Sequence, residues 1–556
     1  MTARSVACVG AGPAGLLAAT QIKLARPGWQ VLVYERAPKD VTYGYGVVFS
    51  DVAVRTIEYL APELGALLAN QTRWDDVEIR AGGARYRIPG HGYAALSRHR
   101  LLGALAGRAA AVGVDLRYET PATLDDLRGE HDLVVAADGA HSQIRGQLAE
   151  ELGATVRYGR SKFAWLGTTA SFDAMTFVFE RTEHGVVVAH GYPHEDGLST
   201  FVVEVPGDGP ERGLTQWAEV FADHLGGQAL RANGLRWERF PVVQLRNCVH
   251  RNVVVIGDAA HTVHYSVGSG TRMALEDGFY LARSLARHDE LAPALAEYQR
   301  RRLPSTGELQ SAGERSMRWF EDAPSHLNKP PAQFAVHLLT RANSVPLATL
   351  TAEASQLAED ATEALAGPLS DRDLLDLPLT VGPVRLAGRL AVEAPGSLMV
   401  PIAVVDPTRL ADDPAWSADF AGAKVISVDL GPYREDPAEE RANARRMTAA
   451  LRDLDRPEDT VLAIRSTLAS TADLPPPALL ARLRELCAAG WCDLVDLAAD
   501  DGPPALAAAL ETADLVRRET GRPVMLSRFR AAHDIVRTHL LAGRIDLWCA
   551  ESGARP

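Results

Sequence analysis

The sequence predicts an α/β protein: a doubly wound, mostly parallel sheet interrupted by a mostly antiparallel one, with a smaller α/β domain at the C-terminal end. Three observations predict it. Short β-rich runs ("SVACV", "VLVYE", "DLVVAAD") alternate with Ala/Leu-rich helical stretches from Ser5 to about Glu150, the pattern of βαβ units on a parallel sheet. Between about Val156 and Leu245 the runs are strands without long helices ("FAWLGTTA", "TFVFERT", "GVVVAHGY", "STFVVEV", "FPVVQL"), as an antiparallel sheet requires. "RNVVVIGDAAH" then resumes the buried parallel-strand pattern, and helices rich in Ala, Leu and Arg follow to about Thr351. The expected organisation is a discontinuous first domain (1–155 and 246–300), an inserted sheet domain (156–245), a helical region and linker (301–376) and a C-terminal domain (377–556).

The length of 556 residues suits three or four domains of roughly 100 to 200 residues. Lys and Arg number 58 against 71 Asp and Glu, a formal charge of -13 with no long basic run; this argues against nucleic acid as a partner. Cys8, Cys248, Cys487, Cys492 and Cys549 are odd in number and scattered, a poor framework for disulfides and better suited to a reducing cytoplasm. The opening "MTARSVACVGAGPAG" runs straight into a strand and a glycine turn. No window reaches about 18 uninterrupted apolar residues, so a soluble, cytoplasmic protein without a membrane partner is expected.

"VGAGPAG" places Gly10, Gly12 and Gly15 in G-x-G-x-x-G spacing, with Pro13 and Ala14 between the last two, after a strand and at the mouth of a helix. The first glycine permits the tight turn, the second lets backbone approach a pyrophosphate, and the third lets helix and strand pack closely. About 20 residues on, Glu35 ends "QVLVYE", where a carboxylate can accept hydrogen bonds from ribose hydroxyls, and Arg36 follows it. Strand, helix and acid together predict a Rossmann-like domain that binds an adenine dinucleotide rather than a glycine-rich structural turn.

A second motif, "GDAAHTVHYSVGSG" from Gly257, resembles the Gly-Asp motif of the class A FAD-dependent aromatic monooxygenases. The resemblance implies that Asp258 holds the ribityl chain of FAD. It also implies that the helix entrance Gly268, Ser269, Gly270 and Thr271 points its amides at the flavin pyrimidine, where a helix N-terminus stabilises the negative charge of the reduced ring. "DGAHSQIR" (Asp138, Gly139, Ser142, Arg145) resembles the family's Asp-Gly motif, and "SRHRLLGAL" supplies Arg98 where the family often has a flavin-contacting arginine. Taken singly, Asp138 could cap a helix and Arg98 could be a solvated charge. There is no second G-x-G-x-x-G, and the Cys487/Cys492 pair lies far downstream and reads as structural. The Trp-x-Trp-x-Ile signature of flavin halogenases is absent.

"YGYGVVFSD" (Tyr43 to Asp51, with Tyr45 and Val47 as candidate site residues), "KFAWLGTTASFDAMTFVFERTEHGVVVAHGY" and "RSMRWFEDAPSHLNKPPAQFAVHLLTRAN" resemble hydroxylases of aryl-CoA thioesters, with the tryptophan hydroxylase of violacein biosynthesis as a cousin. The likeness covers roughly the first 350 residues. It implies FAD, with NADH or NADPH as electron donor, O2, a flavin C4a-hydroperoxide attacked by an electron-rich ring, and no metal. Salicylyl-CoA hydroxylated at position 5 to gentisyl-CoA ranks first among substrates. 2-Aminobenzoyl-CoA, or a free indole, tryptophan-like or phenolic compound, is the alternative, and a non-catalytic flavoprotein scaffold is the reading from a different class.

Where the wider family has a proline-containing turn, this chain has His264, Tyr265 and Ser266. They are expected to line the space where peroxide and ring meet, as against being buried packing. For the CoA phosphates the densest basic clusters are Arg157, Arg160 and Lys162 ("RYGRSK") and Arg300 to Arg302 ("RRRLP"). The second cluster ends a helix, where cations are favoured anyway.

The third region resembles fragments of Old Yellow Enzyme, an FMN-binding TIM barrel ("LPLTVGPVRLAGRLAVEAP", "RANARRMTAALRDL", "VLAIRSTLASTADLP", "CAAGWCDLVDLA"). From residue 377 about 180 residues remain, against roughly 250 for a full (β/α)8 barrel. "LSRFRAAH" and "CAESGARP" stand where phosphate-gripping glycines belong. The resemblance therefore implies a degenerate remnant without FMN, kept for packing or homodimer contacts.

Overall fold

The computed structural model describes residues 4–342 except 40, 43 and 70, then 345 and 347–366, and beyond these 379–381, 384–386, 390–392, 400–405, 425–432, 461–468, 477–488, 492–499, 503–527 and 533–550. The chain divides into two compact units, Met1–Pro324 and Ser325–Pro556.

The first unit is built on a six-stranded sheet in the order Val249–His250, Val253–Val255, Leu133–Ala136, Ser5–Val9, Gln30–Tyr34, Asp115–Arg117. All neighbours are parallel except the edge pair Val249–His250 with Val253–Val255. Val6, Ala7, Cys8, Val134 and Val254 are fully buried, because helices cover both faces of such a sheet and leave no side for polar residues. The helices Pro13–Ala25 and Gly270–Arg287 pack against each other on one face.

The second sheet has eight strands, with Thr155–Thr168, Leu198–Val205, Gly185–Glu195 and Met175–Thr182 as its antiparallel centre. Glu238–Gln244 and Leu230–Arg231 pair with Thr155–Thr168. The other edge, Val77–Ala81 and Ala84–Ile88, comes from chain well before residue 156 and joins in parallel through Met175–Thr182. Gly46–Ser50, Tyr93–Ser97 and Thr72–Trp74 form a small third sheet. A run such as "VEIRA" shows alternation but not which sheet receives it, since pairing partners are distant in sequence.

The helix Leu291–Glu321, 31 residues long, runs unbroken across residue 300, where a domain boundary was expected, and through Pro304. Its buried stripe, including Leu295, Tyr298, Arg302, Gln310, Ser316 and Phe320, keeps it in the first unit.

In the second unit seven described strands, Leu390–Val392, Val400–Val405, Val425–Pro432, Val461–Leu468, Leu494–Ala499, Val524–Ser527 and Leu547–Ala550, close into a parallel barrel, the first pairing with the last. Four adjacent strands each send one polar side chain to a fully buried cluster: Asp496 accepts from Ser427 Oγ (2.7 Å), Arg465 Nε (2.5 Å) and Ser527 Oγ (2.6 Å). Such a pair is tolerated in the interior only because these hydrogen bonds offset its desolvation. Cys487 and Cys492 are buried free thiols with sulfurs 3.1 Å apart. The segment "RANARRMTAALRDL", and residues 528–532 and 551–556 of the expected phosphate region, lie outside the described residues.

A second buried carboxylate, Asp514, is ringed by Lys329 (3.3 Å), His337 (3.2 Å), His326 (3.7 Å) and Arg518 (3.4 Å). Burial works to raise its carboxyl, but these neighbours outweigh it and hold it well below the usual range. Among the described residues His326, His337 and Asp514 are the one group with metal-ligand spacing. Lys329 and Arg518 already neutralise that carboxylate, which disfavours a cation there.

Candidate active site

The strand Ser5–Val9 ends at Gly10, whose φ is +105°, a conformation only glycine adopts easily; a Cβ there would lie 2.3 Å from the Ala137 carbonyl oxygen. At Gly15 a Cβ would lie 2.1 Å from the Gly10 carbonyl oxygen. The motif thus packs strand to helix as its spacing predicts. The helix begins at Pro13, with Gly12 as an N-cap that supplies no side-chain acceptor, so its first amides are left to a ligand. Ala14 is buried behind them.

Glu35 accepts hydrogen bonds from the amides of Ala11 (2.7 Å) and Ala37 (2.8 Å), which fixes its carboxylate at the turn. A cavity of about 790 Å³ is lined by Gly10, Gly12, Glu35, Arg36, Arg98, Asp138 and Gly139, among others. Asp138 Oδ2 accepts from the Gln143 amide (2.9 Å), the capping role, but Oδ1 is buried with no hydrogen-bond partner among the described residues. A buried acceptor left unmet is costly, so a polyhydroxylated ligand fits this cavity. Arg145 of the same motif is buried and donates to the carbonyls of Ala259 (3.0 Å) and Ala140 (2.7 Å). It splices the Asp-Gly segment to the Gly-Asp segment.

Asp258 lies in the turn Gly257–Ala259. Crowding by protein raises its carboxyl above the usual range, opposed by Arg98 and His261, and the same crowding lowers Arg98, opposed by Asp258. The Arg98 amide donates to the Tyr45 carbonyl (2.7 Å) and its Nε to Thr42 Oγ1 (3.1 Å). A second helix N-terminus opens at Gly270, and its N-cap Ser269 makes no side-chain cap. Gly268, with φ +64°, turns the chain into it beside Val48. Val47 packs on the main core instead, and Thr271 lies in the first turn of the helix.

What sets this turn is Asp277, which the sequence reading passed over. It is fully buried and accepts from the Gly257 amide (2.8 Å), His261 Nε2 (2.7 Å) and Arg302 Nε (2.7 Å). Burial works to raise it, but His261 and Arg302 outweigh this and hold it far below the usual carboxylate range. Arg302 therefore belongs to an internal ion pair, also bonded to Glu276 (2.9 Å). This corrects its reading as a phosphate ligand: a guanidinium committed to a buried carboxylate is not available to solvent.

His264, Tyr265 and Ser266 meet the second sheet and the long helix; His264 is buried, its ring packed on Phe240 and Tyr265, contrary to the expectation that it lines open space, whereas Tyr265 and Ser266 are partly exposed. His264 and Ser266 are joined (2.7 Å), and Ser266 Oγ meets Ser316 Oγ (2.7 Å). The Tyr265 hydroxyl donates to Glu204 Oε2 (2.7 Å), and its ring packs among Phe163 (5.0 Å), Trp165 (5.9 Å), His190 (5.4 Å) and Phe240 (6.1 Å). Burial raises the Tyr265 hydroxyl well above its ordinary value, and Glu204 adds to this.

Register explains the company. Phe163, Trp165 and Gly167 stand opposite Glu204, Val202 and Thr200, which stand opposite Val188, His190 and Tyr192, so all share one face. On it the Gly46 amide donates to Thr200 Oγ1 (2.9 Å), Thr200 meets His194 Nδ1 (3.2 Å), and the Tyr192 hydroxyl donates to the Gly46 carbonyl (3.0 Å). The sheet thereby grips both the 265 turn and the strand start that carries Tyr45. The indole N–H of Trp165 is buried there with no hydrogen-bond partner among the described residues. Glu204, His190, Thr200 and His194 were missed; the signal available was a lone Glu or His inside otherwise apolar strands.

In the first basic cluster every cation meets a carboxylate: Arg157 pairs with Glu314 (3.1 Å), Arg160 with Glu321 (3.0 Å) and Asp322 (2.7 Å), and Lys162 with Glu211 (2.8 Å).

Two uncapped helix starts, an unmet acceptor and an aromatic polar face define a dinucleotide-dependent protein that handles an aromatic molecule. Residues 92–310 match the family described as FAD binding domain, and residues 5–156 match lycopene cyclase protein. The chain is 39% identical over 415 residues to salicyloyl-CoA 5-hydroxylase of Streptomyces sp, covering 69% of this chain and 78% of that protein. It is 38% identical to 3-hydroxy-4-methyl-anthranilyl-[aryl-carrier protein] 5-monooxygenase of Streptosporangium sibiricum, over 62% of this chain and 96% of that one. It is also 30% identical to protodeoxyviolaceinate monooxygenase of Chromobacterium violaceum, over 61% and 94%. The chain belongs to the FAD-dependent aromatic monooxygenases, in the branch of salicyloyl-CoA 5-hydroxylase. No described helix is long and apolar enough to cross a membrane.

Proposed function

We propose that the enzyme hydroxylates an aromatic ring carried as a thioester, with 2-hydroxybenzoyl-CoA (salicylyl-CoA) the first candidate, position 5 the site of attack, and NADH or NADPH the electron donor. 2-Aminobenzoyl-CoA is the alternative. FAD, when bound, takes the electrons and activates O2. The residues present suit it: the start of the helix at Pro13 for the pyrophosphate, Glu35 for ribose, Asp138 Oδ1 for a hydroxyl, Asp258 with Arg98 for the ribityl chain, and the Gly270 helix start for the pyrimidine.

The observation that carries the substrate reading is the shared face of Phe163, Trp165, Tyr265 and Glu204. Its rings hold and dry an aromatic substrate, the Trp165 N–H offers a donor to an acyl carbonyl, and Tyr265 and Ser266 offer hydrogen bonds to a ring substituent. Two relatives act, by their names, on carrier-bound aromatic acyl groups, which supports a thioester. In the same reading the C-terminal barrel is non-catalytic, since Arg465 and Asp496 fill part of its interior.

The test is mass spectrometry of the products from a panel of aryl-CoA esters, the same acyl groups on a carrier protein, and the free acids, with NAD(P)H oxidation followed in parallel. Hydroxylation of a thioester but not its free acid is expected. Equal turnover of free acids would refute the thioester reading.

A further inference from the structure

Glu204 is 3% exposed, and the positions flanking it in its strand, Val203 and Val205, are apolar. A carboxylate so placed is expensive unless it is hydrogen-bonded and charge-matched. Its Oε2 takes the Tyr265 hydroxyl at 2.7 Å and lies 3.8 Å from His190 Nε2. The His190 ring packs edge-on to Tyr265 and lies against Phe320, with centroids 5.4 and 4.8 Å away. Tyr265 is partly exposed, whereas Glu204 and His190 are closed off behind it. From the partly exposed Tyr265 inward the order is hydroxyl, carboxylate, imidazole.

We infer that Tyr265 and Glu204, backed by His190, form a proton relay in which Tyr265 passes the proton of the substrate's ring substituent to Glu204 as the ring is oxygenated. This rests on the proposed reading of a hydroxy- or amino-substituted aryl thioester.

When the new C–O bond forms para to a ring hydroxyl, the ring carbon bearing that hydroxyl gains a double bond to oxygen and its O–H bond must break. The substrate proton passes to Tyr265 Oη while the Tyr265 proton passes to Glu204 Oε2. One substrate proton is lost, one carboxylate becomes a carboxylic acid, and Tyr265 is unchanged. The oxidising equivalent is the O2 activated by the reduced flavin of the proposed reaction. Other titratable groups facing the relay are His264, which acts on Glu204 from the turn, and Glu321 of the long helix, which acts on Tyr265. Glu321 is itself paired with Arg160. Burial works to raise the Glu204 carboxyl, but His190, His264 and Tyr265 hold it below its usual range, so it is ionised, and as a weak base it takes the proton only once oxygenation has made the ring O–H strongly acidic.

Glu204→Gln keeps the size of the side chain and an acceptor for Tyr265 but cannot take the proton. With the holoenzyme, kcat for hydroxylation is expected to fall about 100-fold, the lower end of general-base effects, with the dissociation constant of the substrate unchanged. A second readout needs no turnover: the pH titration of bound 2-hydroxy-5-nitrobenzoyl-CoA, whose phenolate absorbs in the visible. A carboxylate coupled to the phenol opposes its ionisation, so Glu204→Gln is expected to lower the pKa of the bound probe by about one pH unit. Tyr265→Phe keeps the ring but removes the hydroxyl through which the proton must pass to Glu204, and is expected to show the same loss of kcat. Wild-type kcat in either variant, or an unmoved probe in Glu204→Gln, overturns the relay and leaves the thioester reading standing. A wild-type enzyme that neither binds the probe nor turns over any aryl thioester overturns both.

Discussion

Acid should loosen the strand start that carries Tyr45, and His194 sets how much. Its side chain is 2% exposed and meets Thr200 Oγ1, which accepts the Gly46 amide. With Nδ1 unprotonated the Thr200 hydroxyl can donate to it, and protonating His194 removes that acceptor. Burial lowers His194 to about 4. The unfolded chain takes up its proton near about 6.5, so in the window between these values the unfolded state binds more protons. The contribution is complete above about 6.5 and is lost as the pH falls toward 4. At about 1.36 kcal/mol per pH unit it amounts to about 3 kcal/mol.

Thermal and urea unfolding of the wild type and of His194→Asn, which cannot titrate here, would be compared between pH 7.5 and 4. The wild type should lose about 3 kcal/mol relative to the variant across that interval, and FAD affinity should fall with it because Arg98 bonds the Tyr45 carbonyl. Parallel stability curves for the two proteins would refute the reasoning, since every other histidine is common to both.

Gly15→Ala places a Cβ 2.1 Å from the Gly10 carbonyl oxygen, so the purified variant should carry no FAD, measured by its visible absorbance. Arg302→Met leaves the buried Asp277 without its guanidinium partner and should cost roughly 3–5 kcal/mol in urea unfolding; a loss under 1 kcal/mol would show that the pair is not what holds the Gly-Asp turn. Arg160→Ala removes the exposed partner of Glu321, whose side chain is 4% exposed, and of Asp322. The KM for an aryl-CoA substrate should then stay within about twofold, and a tenfold rise would restore Arg160 as a phosphate ligand.

Much of the dinucleotide end was legible because its causes are local. The φ of Gly10, the contact of Gly15 with Gly10 and the start of the helix at Pro13 all follow from a few adjacent residues, and Glu35 ends the next strand. The flanking strands are continuous apolar runs because their sheet is covered on both sides. Basic clusters misled for the opposite reason. Charge density along the chain says nothing of a partner such as Glu314, Glu321 or Asp277, which arrives from another helix.

By itself, then, the sequence determined a flavin-type dinucleotide site and the place of the His264 to Ser266 turn, through short-range geometry of glycines, acid and helix starts. Tertiary structure decided what that turn touches. Strand register put Glu204, His190, Thr200 and His194 on one face, and Asp277 locked the Gly-Asp loop from a separate helix. Such neighbours are set by hydrogen-bonded pairing and packing between segments far apart in the chain, and a one-residue slip in that pairing would turn the whole set to the other side of the sheet.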